Sequence, residues 1–302
     1  MAGQLVMGQA MNKSTSNDID WDSLSEAELD ARERQIASKY MHIVPWGAVA
    51  WGLTNLLVWL ALWPLVLLDM LSLWIAFPLA TLNVMLCYLP SHEAQHSIIA
   101  RKGHPLRWLN ELVGHLSVLP FQPFRVLRHT HFEHHLHTND PALDPDYRVH
   151  APSNFAFLKN TLMRRQPGAN DTGYPEALQR TGMGHLLVDA LIYNAFYFLV
   201  LFGMAWSGYA IEVALLWWLP RHIASTYIQY YLSWAPHHPG KEQGRYRETR
   251  GFKSAVGNLL SMGMQYHIIH HLYPRIPLSK TPAAFRELRP ILVRKGCELS
   301  GL

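Results

Sequence analysis

Two long apolar blocks, residues 43–89 and 185–235, constrain this chain more than any other feature. Crossing ~30 Å of hydrocarbon takes roughly 20 helical residues, so each block is too long for one span and reads as a helical hairpin. The first is expected to turn near Leu68-Asp69-Met70, the second near Trp206-Ser207-Gly208. Charge placement supports this layout. Of the 26 basic residues only Arg221 falls inside either block, and the two outer turns carry none. The positive-inside rule then puts both termini and the central loop on the cytoplasmic face. A composition of 49% hydrophobic and only 16% charged residues suits a membrane-embedded chain. The expected architecture is all-α and integral to the membrane, with four transmembrane helices as two hairpins and a cytoplasmic helical cap. Residues 1–42 are expected to form a cytoplasmic N-terminal segment and 43–302 the membrane domain.

The N-terminal segment is polar from Asn12 through Arg34 and has no short apolar core near its start, unlike a secretory signal. The stretch Ser23 to Leu29 has the capping and helix-forming character of a surface helix leading to the membrane. Met11 is an alternative start of translation. Two cysteines, Cys87 and Cys297, cannot make a disulfide framework or a four-cysteine metal site, and Cys87 reads as a buried structural thiol.

The 18 histidines are the anomaly, because they recur in spaced groups. His92-Glu93-Ala94-Gln95-His96 directly follows the second crossing, and on a helix its i and i+4 imidazoles share one face. His131-Phe132-Glu133-His134-His135, flanked by His129 and His137, and His267-Ile268-Ile269-His270-His271 have a common spacing. In each, positions i, i+3 and i+4 project together, and the adjacent pair splays enough to serve two neighbouring ions. Each hairpin goes out and returns, so all three groups emerge on the cytoplasmic side. A single histidine would ordinarily be a satisfied surface side chain or a pH sensor. Three spaced groups at one membrane face point instead to a metal site, and imidazole suits Fe, Zn, Cu and Ni alike.

The pattern His92/His96, His131/His134/His135 and His267/His270/His271 resembles the three histidine boxes of the membrane fatty acid desaturase and hydroxylase superfamily. Tyr266 to Pro274 is especially similar to its third box, and the resemblance covers most of the chain from about Tyr40 onward. It implies a non-haem di-iron enzyme. Those eight histidines would hold two iron ions, molecular oxygen would be co-substrate, and an unactivated C–H bond of a lipid would be desaturated or hydroxylated. The resemblance also implies a further histidine ligand after the last crossing, His237, with His238 as the competitor. Thr138-Asn139-Asp140-Pro141, continuing to Asp144-Pro145-Asp146-Tyr147, is similar to the segment after the second box of carotenoid hydroxylases and ketolases. Pro236-His237 resembles the ketolase pattern. A long lipid chain is the expected substrate and a carotenoid-like ring the alternative.

Asp140, Asp144, Asp146, Glu93 and Glu133 are candidates to orient ligating imidazoles, although the Asn-Asp-Pro and Asp-Pro-Asp runs are equally good turn chemistry. Asp189 and Asn194, near the start of the third crossing, are similar cases. Arg221 and His222 follow Pro220 and read as filling a proline-broken turn rather than lining a pocket. The chain has no dinucleotide fingerprint and no cysteine set for an iron–sulfur centre. Electrons are therefore expected from an external ferredoxin, rubredoxin or cytochrome-type donor. Arg245, Arg247 and Arg250 are candidates to attract an acidic donor or to contact anionic head groups. Membrane lipids, and no nucleic acid, complete the expected partners. A metal transporter would place its ligands near the bilayer midplane in broken helices, and a non-catalytic scaffold would have lost box ligands. The sequence shows neither.

Overall fold

The computed structural model describes residues 19–166, 169, 173–299 and 302; Met11 and Lys13 lie outside them. Among the described residues every regular element is helical. The first half of the chain forms α1 (Glu26–Ser38), α2 (Trp46–Leu67), α3 (Leu73–Leu86), α4 (Tyr88–Gln95), α5 (Arg107–Ser117), α6 (Phe124–His137) and α7 (Asn154–Arg164). The second forms α8 (Gly173–Arg180), α9 (Leu186–Trp206), α10 (Ala210–Val213), α11 (Leu219–Ile228), α12 (Gly257–Leu260), α13 (His267–Leu272) and α14 (Thr281–Arg294).

Three stretches are long and apolar enough to cross a membrane: Trp46–Leu67, Leu73–Gln95 and Leu186–Trp206. The middle one joins α3 and α4 across a bend at Cys87. The chain reverses after α2 at Asp69 (φ +56°), where the Met70 and Leu71 amides donate to the Leu65 carbonyl at 2.8 and 2.9 Å. After α9 it reverses at Gly208 (φ +93°), a left-handed conformation that costs little without a Cβ. Beyond Gly208, α10, a π segment Ala214–Trp218, α11 and a second π segment Gln229–Trp234 run on without a break. The stretch expected to form one regular crossing is therefore a composite of α and π turns. Pro220 has no N–H and crowds the turn before it, and the widened π turn relieves that clash.

Polar side chains hold the apolar helices together, as they must where no water competes. Asn55 donates to the Asn83 carbonyl (2.9 Å) and Asn83 to that of Asn55 (2.7 Å), pinning α2 to α3. The Trp59 indole donates to the Leu216 carbonyl at 3.1 Å and packs edge-on against Trp63 and Trp217. In contrast, α9 is only 11% buried along its apolar window and presents Leu191, Leu199 and Phe202 outward.

The shorter helices gather at the end of the spans that carries His92. There α5 packs on α2 and α4, α6 on α4, α8 and α9, and α14 on α1 and α13. Helix α1 begins with a capping box, the Ser25 hydroxyl accepting from the Glu28 amide while Glu28 returns to the Ser25 amide. Its Leu29 and Ala37 share a core with Ile268, Ile269, Phe285 and Leu288. Its buried Glu33 accepts from the Tyr246 hydroxyl at 2.9 Å, the Tyr273 hydroxyl at 2.7 Å and Arg245 at 3.2 Å. The N-terminal helix thus braces the third histidine group and the segments on either side of it.

Candidate metal centre

Four pieces of chain deliver the histidines: the end of α4 (His92, His96), α6 (His131, His134, His135), the turn after the second π segment (His237), and α13 (His267, His270, His271). They converge in two adjoining groups. In the first, ring nitrogens of His92, His96, His131 and His270 all lie within 4.8 Å of one another. His135 joins them, its Nε2 lying 3.1 Å from that of His131 and 3.0 Å from that of His270. The second contains His134, His237, His267 and His271, again within 4.8 Å.

Helix geometry explains the partition. Residues i and i+4 lie on one face, so His92/His96, His131/His135 and His267/His271 stay together. The i+3 members, His134 and His270, are rotated away and cross to the other group. Each adjacent pair is thereby split, and the His135 and His271 rings stack at 4.1 Å where the groups meet. One placement differs from expectation: His92 lies within the helical stretch Leu73–Gln95 rather than beyond it. The helix runs on because Tyr88–Gln95 is covered by α5 and α6.

The rings fit a cation and do not satisfy one another. His92 is fully buried with no partner for either nitrogen, and His270 Nδ1 and His271 Nε2 are also buried and unpartnered. His131 Nε2 faces His96 Nε2 at 2.8 Å as well as His135 Nε2. A neutral imidazole has one N–H, so converging Nε2 atoms cannot all be hydrogen-bonded. Each unpaired buried nitrogen costs about 1–3 kcal/mol, which coordination of an ion removes. Burial, with the neighbouring rings adding to it, holds His96, His131, His135, His237, His267, His270 and His271 well below the usual histidine pKa. They are neutral, as ligands must be.

Outer partners distinguish the groups. In the second, every Nδ1 is anchored from behind: His134 on Asp144 Oδ1 (2.9 Å), His237 on the Glu248 carbonyl (3.0 Å), His267 on Met264 Sδ (3.0 Å) and His271 on Glu248 Oε1 (3.4 Å). This fixes the tautomers and turns the Nε2 atoms inward. Burial lowers the pKa of His134, but the Asp144 carboxylate outweighs it and raises it, holding a proton on Nδ1 and leaving Nε2 to face the group. Asp144 also accepts from the amides of Asn139 (2.9 Å) and Asp146 (2.8 Å). Among the described residues no carboxylate or carbonyl backs any imidazole of the first group.

The other candidates sort differently. Glu93 accepts from the Leu278 amide (2.7 Å), not from an imidazole. Asp146 accepts from Tyr174 and Ser233, and Asp140 caps the amides of Ala142 and Leu143. Glu133 pairs with Arg180, Asp189 pairs with Arg125, and Asn194 donates within α9 to the Ala190 carbonyl. Arg221 donates to the Phe121 carbonyl (2.9 Å) and lies over the Tyr197 ring, filling space beside its proline. His238 turns from the centre to pack on Trp234. Arg245 is tied to Glu33, Arg247 to Glu242, and Arg250 to the Ala235 carbonyl. Glu248 and Met264 are absent from the sequence expectations, since nothing local marks a loop glutamate or a methionine as facing a ring brought in from elsewhere.

Two cavities reach the groups. One of about 330 Å³ reaches His237 between polar residues including Lys241, Glu242, Glu248 and Arg250. A narrower one of about 40 Å³ reaches His131. Tyr88, Phe121, Leu127, Ile228 and Leu232 give it an apolar wall, and Asp146, Arg148, Tyr174 and Gln229 a polar one.

Two abutting, buried imidazole groups that could hold metal ions, carried on a helical chain with three stretches apolar enough to cross a membrane, define the class of site. The chain belongs to the fatty acid desaturase family, whose model matches residues 68–300. It is 25% identical over 203 residues to a zeaxanthin 4-ketolase of Chlamydomonas reinhardtii, covering 65% of this chain and 40% of that protein. It is 23% identical over 304 residues to a fatty acid conjugase of Calendula officinalis, covering 85% and 73%. A stretch of 63 residues is 41% identical to an sn-1 oleoyl-lipid 12-desaturase of Synechocystis, covering 19% and 17%. The chain thus spans less than half the length of the ketolase it matches.

Proposed function

We propose that the protein is an O2-dependent di-iron oxidoreductase acting on an unactivated C–H bond of a long lipid chain, by desaturation or hydroxylation. The splitting of both adjacent histidine pairs between two abutting groups carries this reading, because it provides two ion sites side by side. His92, His96, His131, His135 and His270 would hold one iron, and His134, His237, His267 and His271 the other. When bound, the two irons supply the redox chemistry by which O2 oxidises the C–H bond. The chain's own contribution is orientation and exclusion of water. Asp144, Glu248 and Met264 hold rings by their outer nitrogens, and apolar side chains wall the small cavity beside His131. Two electrons per turnover come from an external ferredoxin, rubredoxin or cytochrome-type donor. Ala210–Trp234 is read as a fourth crossing, with both termini and the histidine groups cytoplasmic and residues 43–302 as the membrane domain. The absence of basic residues from the turns at Asp69 and Gly208 supports that orientation.

A second reading, hydroxylation or ketone formation on a carotenoid-like ring, is favoured by the ketolase relative and by the carboxylate that the loop after the second box sets behind His134. Mass spectrometry of lipids and pigments from cells expressing the chain with a competent electron donor, against a His134→Ala control, separates the two. Acyl products lacking two hydrogens, or acyl products carrying added oxygen, establish the first reading. Oxygenated pigments establish the second, and identical profiles in both cultures would sink both.

A further inference from the structure

We propose that the cavity between the start of α2, α4 and α12 is a binding site for an apolar alcohol, whose hydroxyl it receives on Glu93 and Asn258. None of the histidines of the metal centre lines this cavity, and the site stands whether or not the oxidase reading holds.

The cavity measures about 240 Å³. Pro45, Ala48 and Trp51 come from the start of α2, Leu89 and Glu93 from α4, and Asn258 and Leu259 from α12. Gly263 and Leu278 complete its wall. Gly263 has φ +80°, and a Cβ there would stand 3.1 Å from Leu278 Cβ, so the close approach of these two segments calls for glycine.

Two oxygens among the lining residues have no partner. Glu93 is 1% exposed; one carboxyl oxygen, Oε1, accepts from the Leu278 amide (2.7 Å), while Oε2 is buried and unpartnered. Asn258 Oδ1 is buried and unpartnered as well. A buried oxygen left unpaired bears the full cost of leaving water, and a bound hydrogen-bonding group removes it.

The lining selects the class of ligand. A hydroxyl donates and accepts at once, so it suits a carboxyl oxygen and an amide oxygen whether or not the carboxyl carries a proton. A hard cation asks for about six oxygens or more, and this wall is otherwise mostly carbon. Water would be held by too few polar groups to fill the space, since each molecule needs two to four partners. A cavity of about 150 Å³ already accommodates benzene. There is thus room behind the hydroxyl for an apolar ring or a short length of chain. Gly47, Leu259 and Ser279 are exposed at the mouth, where a longer apolar body would project.

The test uses the full-length protein in phosphatidylcholine nanodiscs with a diazirine-bearing decanol as photoprobe, and labelled peptides are mapped by mass spectrometry. Labelling is expected at the start of α2 and in α12. Unlabelled n-decanol should compete there at least ~10-fold better than decyl methyl ether, which cannot donate. On the outward face of α9, where the probe merely dissolves beside the helix, neither should compete. Asn258→Leu keeps the side chain's shape and removes its oxygen, and should erase the alcohol's advantage. Ala48→Phe fills the cavity and should abolish labelling around it. Labelling of α9 in both variants shows that the chain is still inserted. Competition by n-hexanol alone would mark a small free alcohol as the ligand, and competition by n-hexadecanol as well would mark the hydroxyl-bearing end of a longer chain. Equal competition by alcohol and ether would reduce the site to an apolar crevice. Labelling confined to α9, or labelling around the cavity that persists in Ala48→Phe, would put the probe elsewhere. Each of these last results overturns the proposal.

Discussion

The two histidine groups are built from the same helices, yet they are supported in opposite ways. The second has a partner behind each ring: a carboxylate for His134, one glutamate serving His237 through its carbonyl and His271 through its side chain, and a thioether for His267. Among the described residues the first has five rings with no carboxylate or carbonyl behind them; His92 is fully buried with both nitrogens unpartnered. On the proposed reading, one group would be oriented before an ion arrives, and the other would need the ion to become oriented. Their surroundings differ in the same sense. A roomy polar cavity leads to the second, and a narrow one with an apolar wall leads to the first.

The contrast can be broken by substitution. His134→Ala and His270→Ala remove one ligand from each group and should abolish product formation, read by mass spectrometry, while fractionation shows the chain still in the membrane. Activity retained in either would remove that residue from its group. Purified active protein should contain iron at roughly two per chain, and full zinc occupancy in active enzyme would end the di-iron reading. Asp144→Asn keeps its shape but loses the charge that holds the His134 Nδ1 proton. Loss of such an outer partner typically lowers metal affinity about 10–100-fold, measurable by competition with a chelator. Glu93→Gln is the matched control beside the first group. Because Glu93 meets the Leu278 amide rather than a ring, the change should leave metal affinity alone and cost about 1 kcal/mol of stability in thermal unfolding. The smallest effect is expected from His238→Ala: the ring packs on Trp234 outside the second group, so iron content and turnover should both survive.

Much of the centre was legible in the sequence because it depends on helix periodicity. The i and i+4 spacing of His131/His135 and His267/His271 survives into the fold unchanged, and the adjacent pairs splay as their spacing requires. His237 could be named only through a family resemblance, since a lone histidine after an apolar block has no local signature. Asp144 was readable as a candidate but not separable from Asp140 or Asp146, because Asx turns and ring anchoring draw on the same residue type. Glu248 and Met264 depend on where a loop and a 3₁₀ turn land in space. The apolar block from 185 to 235 predicts two regular helices; the second breaks into π segments around Pro220, next to the bulky pair Trp217 and Trp218. Hydropathy, which counts residues and not hydrogen bonds, cannot register such a break.

The crossing of His134 and His270 between groups has a consequence for how the protein is made in the cell. Since α6 and α13 each reach into both groups, an ion seated in one group would fix the rotation of two helices that also carry rings of the other. Metallation is expected to be all-or-none. Under iron scarcity the population should divide into fully loaded and empty chains, so that scarcity reduces the number of working molecules and not the quality of each one.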